Sequence, residues 1–198
     1  MDAPRFLHLA DEPSPERSDA ARNRELLLVA AKRLVDHCGV QGVTMDAVAH
    51  EAGVGKGTVF RRFDSREGLM AALLNHSETA WQASVISGPP PLGPGAPAME
   101  RLHAFGRSRL EINLTHADLI SAAGRAGSPN YAAYSFAATH VRYLLGEIGV
   151  SGDIALLATA ILAPLEVPIL MQQTRIEGMD TDRIIAGWDD LVRRIVAD

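Results

Sequence analysis

Between Asp19 and Cys38 the apolar positions Leu27, Ala30, Ala31, Leu34, Val35 and Cys38 recur at helical spacing, which predicts one amphipathic helix burying a single stripe. Gly39 supplies a stop, and Gly42 loosens the turn after it. Cys38 lies on the stripe, so its thiol is expected to be buried as a small hydrophobe. Thr44 can cap a second helix over MDAVAHEA, with Asp46 in the first turn where it suits the helix dipole, and Gly53 ends it. A third helix is predicted over Lys56–Phe63. A fourth starts at Asp64 or Ser65 and runs to about Val85, because Asp64 followed by Glu67 has the form of a capping box.

The stretch SGPPPLGPGAPA, residues 87–98, is too rich in proline and glycine for any helix and is read as a linker and the best domain boundary. Beyond it helical patterns return over 99–116, 118–125, 130–148, 153–173 and 181–197, with GRAGSP at 124–129 and the glycines at 146, 149 and 152 as breaks. No alternating strand pattern of useful length and no repeat occurs, so the fold class is all-α.

Charge changes the picture in one place. The chain of 198 residues carries a net charge of −5, an unpromising total for a nucleic-acid partner. Yet residues 54–66 hold Lys56, Arg61, Arg62 and Arg66 against Asp64 alone. Because salt screens distant charge within about 10 Å, this local excess matters more than the total. The lone Cys38 excludes an internal disulfide and suits a reducing compartment, and residues 1–18 lack the apolar core of a secretory signal. A cytoplasmic protein is expected.

The region from Thr44 to Phe63 has the spacing of a helix-turn-helix. Ala49 is small where two helices would cross, Gly53 suits a tight turn with positive φ, and Val59 anchors the next helix against Val48, Ala52 and Val54. The third helix would then expose Lys56, Thr58, Arg61 and Arg62, with Phe60 and Phe63 among them. Basic and hydroxyl groups there suit phosphate, and arginines can reach guanine edges in the major groove.

The run GVTMDAVAHEAGVGKGTVFRRFDSREGLMAALL resembles the DNA-binding signature of the tetracycline-repressor (TetR) family, over about 50 residues from Arg22 to Leu74. The resemblance implies that Thr44 caps the second helix and touches a phosphate. It implies that Lys56, Gly57, Thr58 and Phe60 open the recognition helix, with Gly57 allowing close backbone approach and Phe60 pressing on the sugar-phosphate chain. Arg61 and Arg62 are then the specificity candidates, and Arg66 stands where the family commonly has a lysine that holds a phosphate. Gly55 departs from the frequent serine and weakens the cap of the recognition helix. The organisation expected is a flexible arm (1–18), a three-helix helix-turn-helix DNA-binding domain (19–64), a connecting helix (65–86), the linker (87–98) and a helical ligand-binding and dimerisation bundle (99–198).

In the last predicted helix Ile184, Trp188, Leu191 and Ile195 form one stripe that Ile185 and Val192 widen, and 154–171 is apolar nearly all round. Ile161, Leu165, Ile184, Trp188, Leu191 and Ile195 are therefore expected at a homodimer interface, two helices from each subunit, matching a palindromic operator on double-stranded DNA. Glu166, Pro164, Pro168 and missing basic flanks argue against a membrane span in 154–171, and the prolines should interrupt the helix. For an unknown small-molecule effector the polar candidates are His103, Arg107, His116, Tyr134 and His140, with Tyr131 nearby. The three histidines lack the spacing of a helical metal pair, and Arg107, Arg109 and Glu111 are read as a wet face. No GxSxG, HExxH or phosphate loop is present, so neither an enzyme nor a cofactor is expected. The reading is a ligand-released repressor, with an activator or a helical protein-interaction module without DNA binding as the alternatives.

Overall fold

The structure, a computed structural model, describes residues 15–123 and 131–197. Among the described residues every regular element is helical: α1 (Pro15–Gly42), α2 (Met45–Glu51), α3 (Lys56–Phe63), α4 (Arg66–Ser87), α5 (Ala98–Ala123), α6 (Tyr131–Ile148), α7 (Ile154–Leu162), α8 (Val167–Met171) and α9 (Thr181–Val196). The first fourteen residues of the expected arm, the GRAGSP break and the Tyr131 side chain lie outside what is described, and α1 already begins at Pro15 rather than Asp19. The chain divides into two compact units between Arg66 and Glu67.

In the first unit the buried positions of α1 include Leu27, Leu28, Ala30, Ala31 and, past the break at Gly39, Val40, joined by Val48 and Ala49 of α2 and Val59 and Phe63 of α3. Gly39 breaks α1 as its sequence predicts, with φ 72° and ψ 168°, a conformation that side chains with a Cβ rarely adopt. That break overturns the expectation for Cys38. The stripe stops being covered near the end of the helix, Leu34 and Val35 are half-buried, and the Cys38 thiol is exposed, bonded to the Leu34 carbonyl at 3.0 Å. A second correction concerns Asp64. It does not open α4 but closes α3, with φ 66° and its N–H on the Phe60 carbonyl.

In the second unit Trp81 and Val85 of α4, Phe105 and Leu110 of α5, Val141 and Leu144 of α6, Ile161 of α7 and Trp188 of α9 share one core. The proline-rich loop lies inside this unit and contributes Leu92 to its core, so the break between units falls upstream of it, after Arg66. The two helices predicted over 99–116 and 118–125 are a single α5, since no glycine or proline interrupts the chain there. The prolines further on do interrupt. After α7 a 3₁₀ turn (Ala163–Leu165) leads to Glu166 in extended conformation, φ −67° and ψ 139°, and a π-turn (Gln172–Ile176) follows α8. At that break the Ile169 N–H goes to Glu166, which leaves the Leu165 carbonyl without its helical donor. Buried Asn113 of α5 supplies one at 2.7 Å. The stretch Ile154–Ile176 reaches a mean hydropathy of 2.1.

The expected dimer residues fall into two settings in the single chain. Ile161, Leu165, Ile184 and Trp188 are buried within the single chain, and Leu191 and Ile195 are half-buried. The wide stripe of α9 is consumed by its own unit: the Trp188 indole N–H donates to the Ile161 carbonyl at 2.8 Å, and its ring lies over Gly106 of α5. A Cβ at Gly106 would collide with that ring, so the glycine sets how closely α5 and α9 approach.

Candidate nucleic-acid interface

The geometry of the helix-turn-helix follows from a few local bonds. Thr44 stands in extended conformation before α2, and its hydroxyl accepts from the Ala47 N–H at 3.1 Å. At the turn Gly53 takes φ 66°, which lets the Val54 N–H return to the Ala49 carbonyl at 2.9 Å. Gly55 caps α3 with backbone alone, the weakness anticipated from the missing serine, although the Thr58 N–H still reaches its carbonyl at 2.8 Å. Val59 and Phe63 turn inward and are buried. That orientation leaves Lys56, Gly57, Phe60, Arg61 and Arg62 exposed on the opposite face, with Thr58 half-buried and open space around Gly57.

The cations of this face differ in how they are held. The Lys56 ammonium lies 2.8 Å from an Asp46 carboxylate oxygen and 5.7 Å from the centre of the Phe60 ring. The Arg62 guanidinium donates to the Ala20 carbonyl of α1 at 3.0 Å. Among the described residues Arg61 has only a long bond to Thr58 Oγ1, 3.4 Å, on its own helix. Arg66, expected on a phosphate, places two donors on the chain's own carbonyls, Val43 at 2.9 Å and Val40 at 2.6 Å, and so closes the end of α1 against the start of α4. A groove of about 490 Å³ runs between α1 and α3, lined by Asp19, Asn23, Thr58, Arg61 and Arg62 among others. The sequence pattern alone did not foretell the Asp46 and Ala20 partners, because each is brought to α3 by packing rather than by spacing along a helix.

In the second unit the polar candidates fall into separate settings. His103 and Arg107 converge on Asp189 of α9, with His103 Nδ1 at 2.5 Å and Arg107 Nη2 at 2.7 Å, beside an open groove of about 550 Å³. Burial raises the Asp189 pKa, but the His103 and Arg107 donors outweigh it and hold the carboxyl below its ordinary value. His140 stacks on Phe105 and Phe136, and its buried Nε2 has no hydrogen-bond partner among the described residues. Burial first, then the Arg101 charge, lowers its pKa from 6.5 to about 4. Tyr134 is exposed and donates to Thr159 at 3.4 Å, while His116 is buried on α5. Arg109, read from the sequence as part of a wet face, is instead buried against Glu78 of α4, one nitrogen reaching both carboxylate oxygens at 2.9 and 2.8 Å, with the Trp81 ring 4.7 Å away. No group of three His, Cys, Asp or Glu side chains able to hold a metal occurs among the described residues.

A short basic α3 held across α1 and α2 by a glycine turn defines a helix-turn-helix protein of the DNA-binding class. Residues 27–73 match the family model of the bacterial regulatory proteins, tetR family, so this part of the chain is similar to the DNA-binding domain of those regulators. HTH-type transcriptional regulators of Staphylococcus aureus, among them those of strains USA300 and N315, are 38 % identical over 53 residues, or 27 % of this chain and 29 % of theirs. The match therefore spans under a third of the length of these curated relatives. The fold likeness is broader. A TetR-family regulator from Pectobacterium atrosepticum aligns with a TM-score of 0.66 at 20 % identity, covering 89 % of this chain and 93 % of that one. A regulator from Saccharomonospora viridis in complex with choline gives 0.65 at 19 % identity over 87 % and 96 %. One from Bacillus subtilis in complex with stearoyl-CoA gives 0.60 at 14 % identity over 87 % and 97 %.

Proposed function

We propose that the protein is a repressor that binds a palindromic operator as a homodimer in the cytoplasm and is released by a small molecule. The observation that carries this reading is the exposed face of α3, where Lys56, Thr58, Phe60, Arg61 and Arg62 stand around Gly57 on a helix anchored by buried Val59 and Phe63. In this reading α3 enters the major groove, Thr44 and Lys56 meet phosphates, Phe60 rests on the sugar-phosphate chain, and the Arg61–Arg62 pair is the candidate for base reading. Arg66 supports them from behind by holding the Val40 and Val43 carbonyls.

The effector binds in the second unit, whose interior combines aromatic rings with the buried Glu78–Arg109 pair, Asn113 and His116. That solved relatives of this fold hold choline or stearoyl-CoA supports a ligand-binding role for the unit. Binding shifts α4, which is covalently continuous with both units, and so alters the separation of the two recognition helices in a dimer. The second copy docks on the apolar side chains that α7 and α8 leave exposed, chiefly Leu156 and Ile169, rather than on the residues buried in the chain's own core. The test is binding of duplex DNA selected from a random library, measured by mobility shift from 50 to 200 mM salt. A steep loss of affinity with salt is expected, by about 10³-fold or more for six phosphate contacts. Binding of no duplex at low salt overturns the reading.

A further inference from the structure

We propose that the two adjacent arginines of α3 have different duties: Arg61 reads a base, and Arg62 is a positioning residue that fixes α3 against α1. The inference rests on the DNA-binding reading above and divides a role that the sequence leaves shared between them. Arg61 and Arg62 are both exposed, and both line the groove between α1 and α3. Their partners separate them. The Arg62 guanidinium donates at 3.0 Å to the Ala20 carbonyl, which belongs to α1 and lies 42 positions away in sequence. The Arg61 guanidinium is bonded to no other element among the described residues. Its one hydrogen bond is the 3.4 Å approach to Thr58, one turn earlier on α3.

Lys56, the third cation, is neutralised locally by Asp46 at 2.8 Å. The recognition helix therefore presents one arginine whose planar donor fork is committed to nothing beyond its own helix. That fork is the group that matches the O6 and N7 acceptors of guanine, and swinging it out costs a single long bond. Moving Arg62 to a base would instead detach α3 from the early turns of α1. α3 has eight residues and no side-chain cap, so its orientation depends on ties of this kind. Thr58 is the natural companion of Arg61, since its hydroxyl already orients the guanidinium at the start of the helix.

The experiment uses the full-length chain and a duplex selected by it from a random library, with every base pair of the selected site then substituted in turn. Binding of the selected duplex by the parent protein tests the DNA-binding reading on its own; the variants test the division of duties. Arg61→Ala is expected to flatten the preference at one base pair of each half-site, where the parent discriminates by about 5- to 150-fold, and to leave the other positions unchanged. Arg62→Ala is expected to weaken all duplexes, selected and scrambled, by the same factor and to keep every base preference. Arg62→Lys, which retains a donor for the Ala20 carbonyl, is expected to recover most of that affinity, and it keeps the test alive should Arg62→Ala fold poorly. If Arg62→Lys erases the preference at a base pair, or if Arg61→Ala lowers all duplexes evenly, the assignment is overturned.

Discussion

At the scale of single residues, the interface is defined as much by what restrains its cations as by the cations themselves. Asp46 and Lys56 are both well exposed, with 64 % and 59 % of their side chains accessible, so their ion pair is worth at most about 1 kcal/mol and can be exchanged for a phosphate. Asp46 therefore competes with DNA for Lys56. Asp46→Asn is expected to raise affinity for a scrambled duplex up to about fivefold in fluorescence anisotropy, the factor that 1 kcal/mol allows. The gain should vanish in a Lys56→Met background; a gain of the same size there would show that Asp46 acts on DNA directly. A second residue-scale consequence concerns His140. Its imidazole is held neutral between Phe105 and Phe136, with a pKa near 4 where an unfolded histidine titrates near 6.5. As pH falls from about 6.5 to 4 the unfolded chain takes up a proton that the folded one refuses, so stability drops and levels off below. Chemical denaturation across this range should show the slope in the parent protein and lose it in His140→Phe. At this scale the capping threonine, the turn glycine and the buried Val59 were legible because each obeys a local rule. The exposed Cys38 was not, since the helical stripe says which face is apolar but not where the covering elements end.

At the scale of elements, periodicity located the helices of the first unit closely, because α2 and α3 are short and punctuated by Thr44, Gly53 and Gly55. In the second unit the same rules met competition from tertiary contacts. Gly106 reads as a weak point in a helix, yet it is where the Trp188 ring lies down. Gly106→Ala should therefore destabilise the protein, by about 1–3 kcal/mol in thermal or chemical melts, even though alanine is the better helix former. The Glu78–Arg109 pair joins α4 to α5 and was invisible from spacing, because its partners lie 31 positions apart. Both side chains are only 11–12 % exposed, so removing one partner strands a charge in the interior. Glu78→Leu alone is expected to cost about 3–5 kcal/mol, whereas Glu78→Leu with Arg109→Met should cost clearly less than either single change. Additive losses would mean that the two groups do not depend on one another.

At the scale of the whole molecule, the sequence suggested a dimer through six residues, four of which are buried within the single chain. The apolar run of α7 and α8 exceeds what one core can use, as its pattern suggested, but the surplus is not the stripe of α9 that carries Ile184 and Trp188. Only 28 % of the most apolar window in Ile154–Ile176 is buried, and Leu156 is 67 % exposed and Ile169 40 % exposed. Large apolar side chains left exposed at a surface mark a contact site. Replacing Leu156 and Ile169 together by glutamate places four charges in such an interface while leaving the buried residues of each chain untouched. The parent protein is expected to scatter light as a dimer at micromolar concentration and the double variant as a monomer of unchanged helical content. A dimer on a palindrome would hold its second recognition helix at an effective millimolar concentration over the second half-site, so the variant should lose about 10²- to 10⁴-fold in affinity for a palindrome. Binding to a single half-site should not change, since every group that meets it belongs to one chain. A variant that remains dimeric would move the interface elsewhere, and a monomeric variant that still binds the palindrome as tightly as the parent would separate operator recognition from dimer formation.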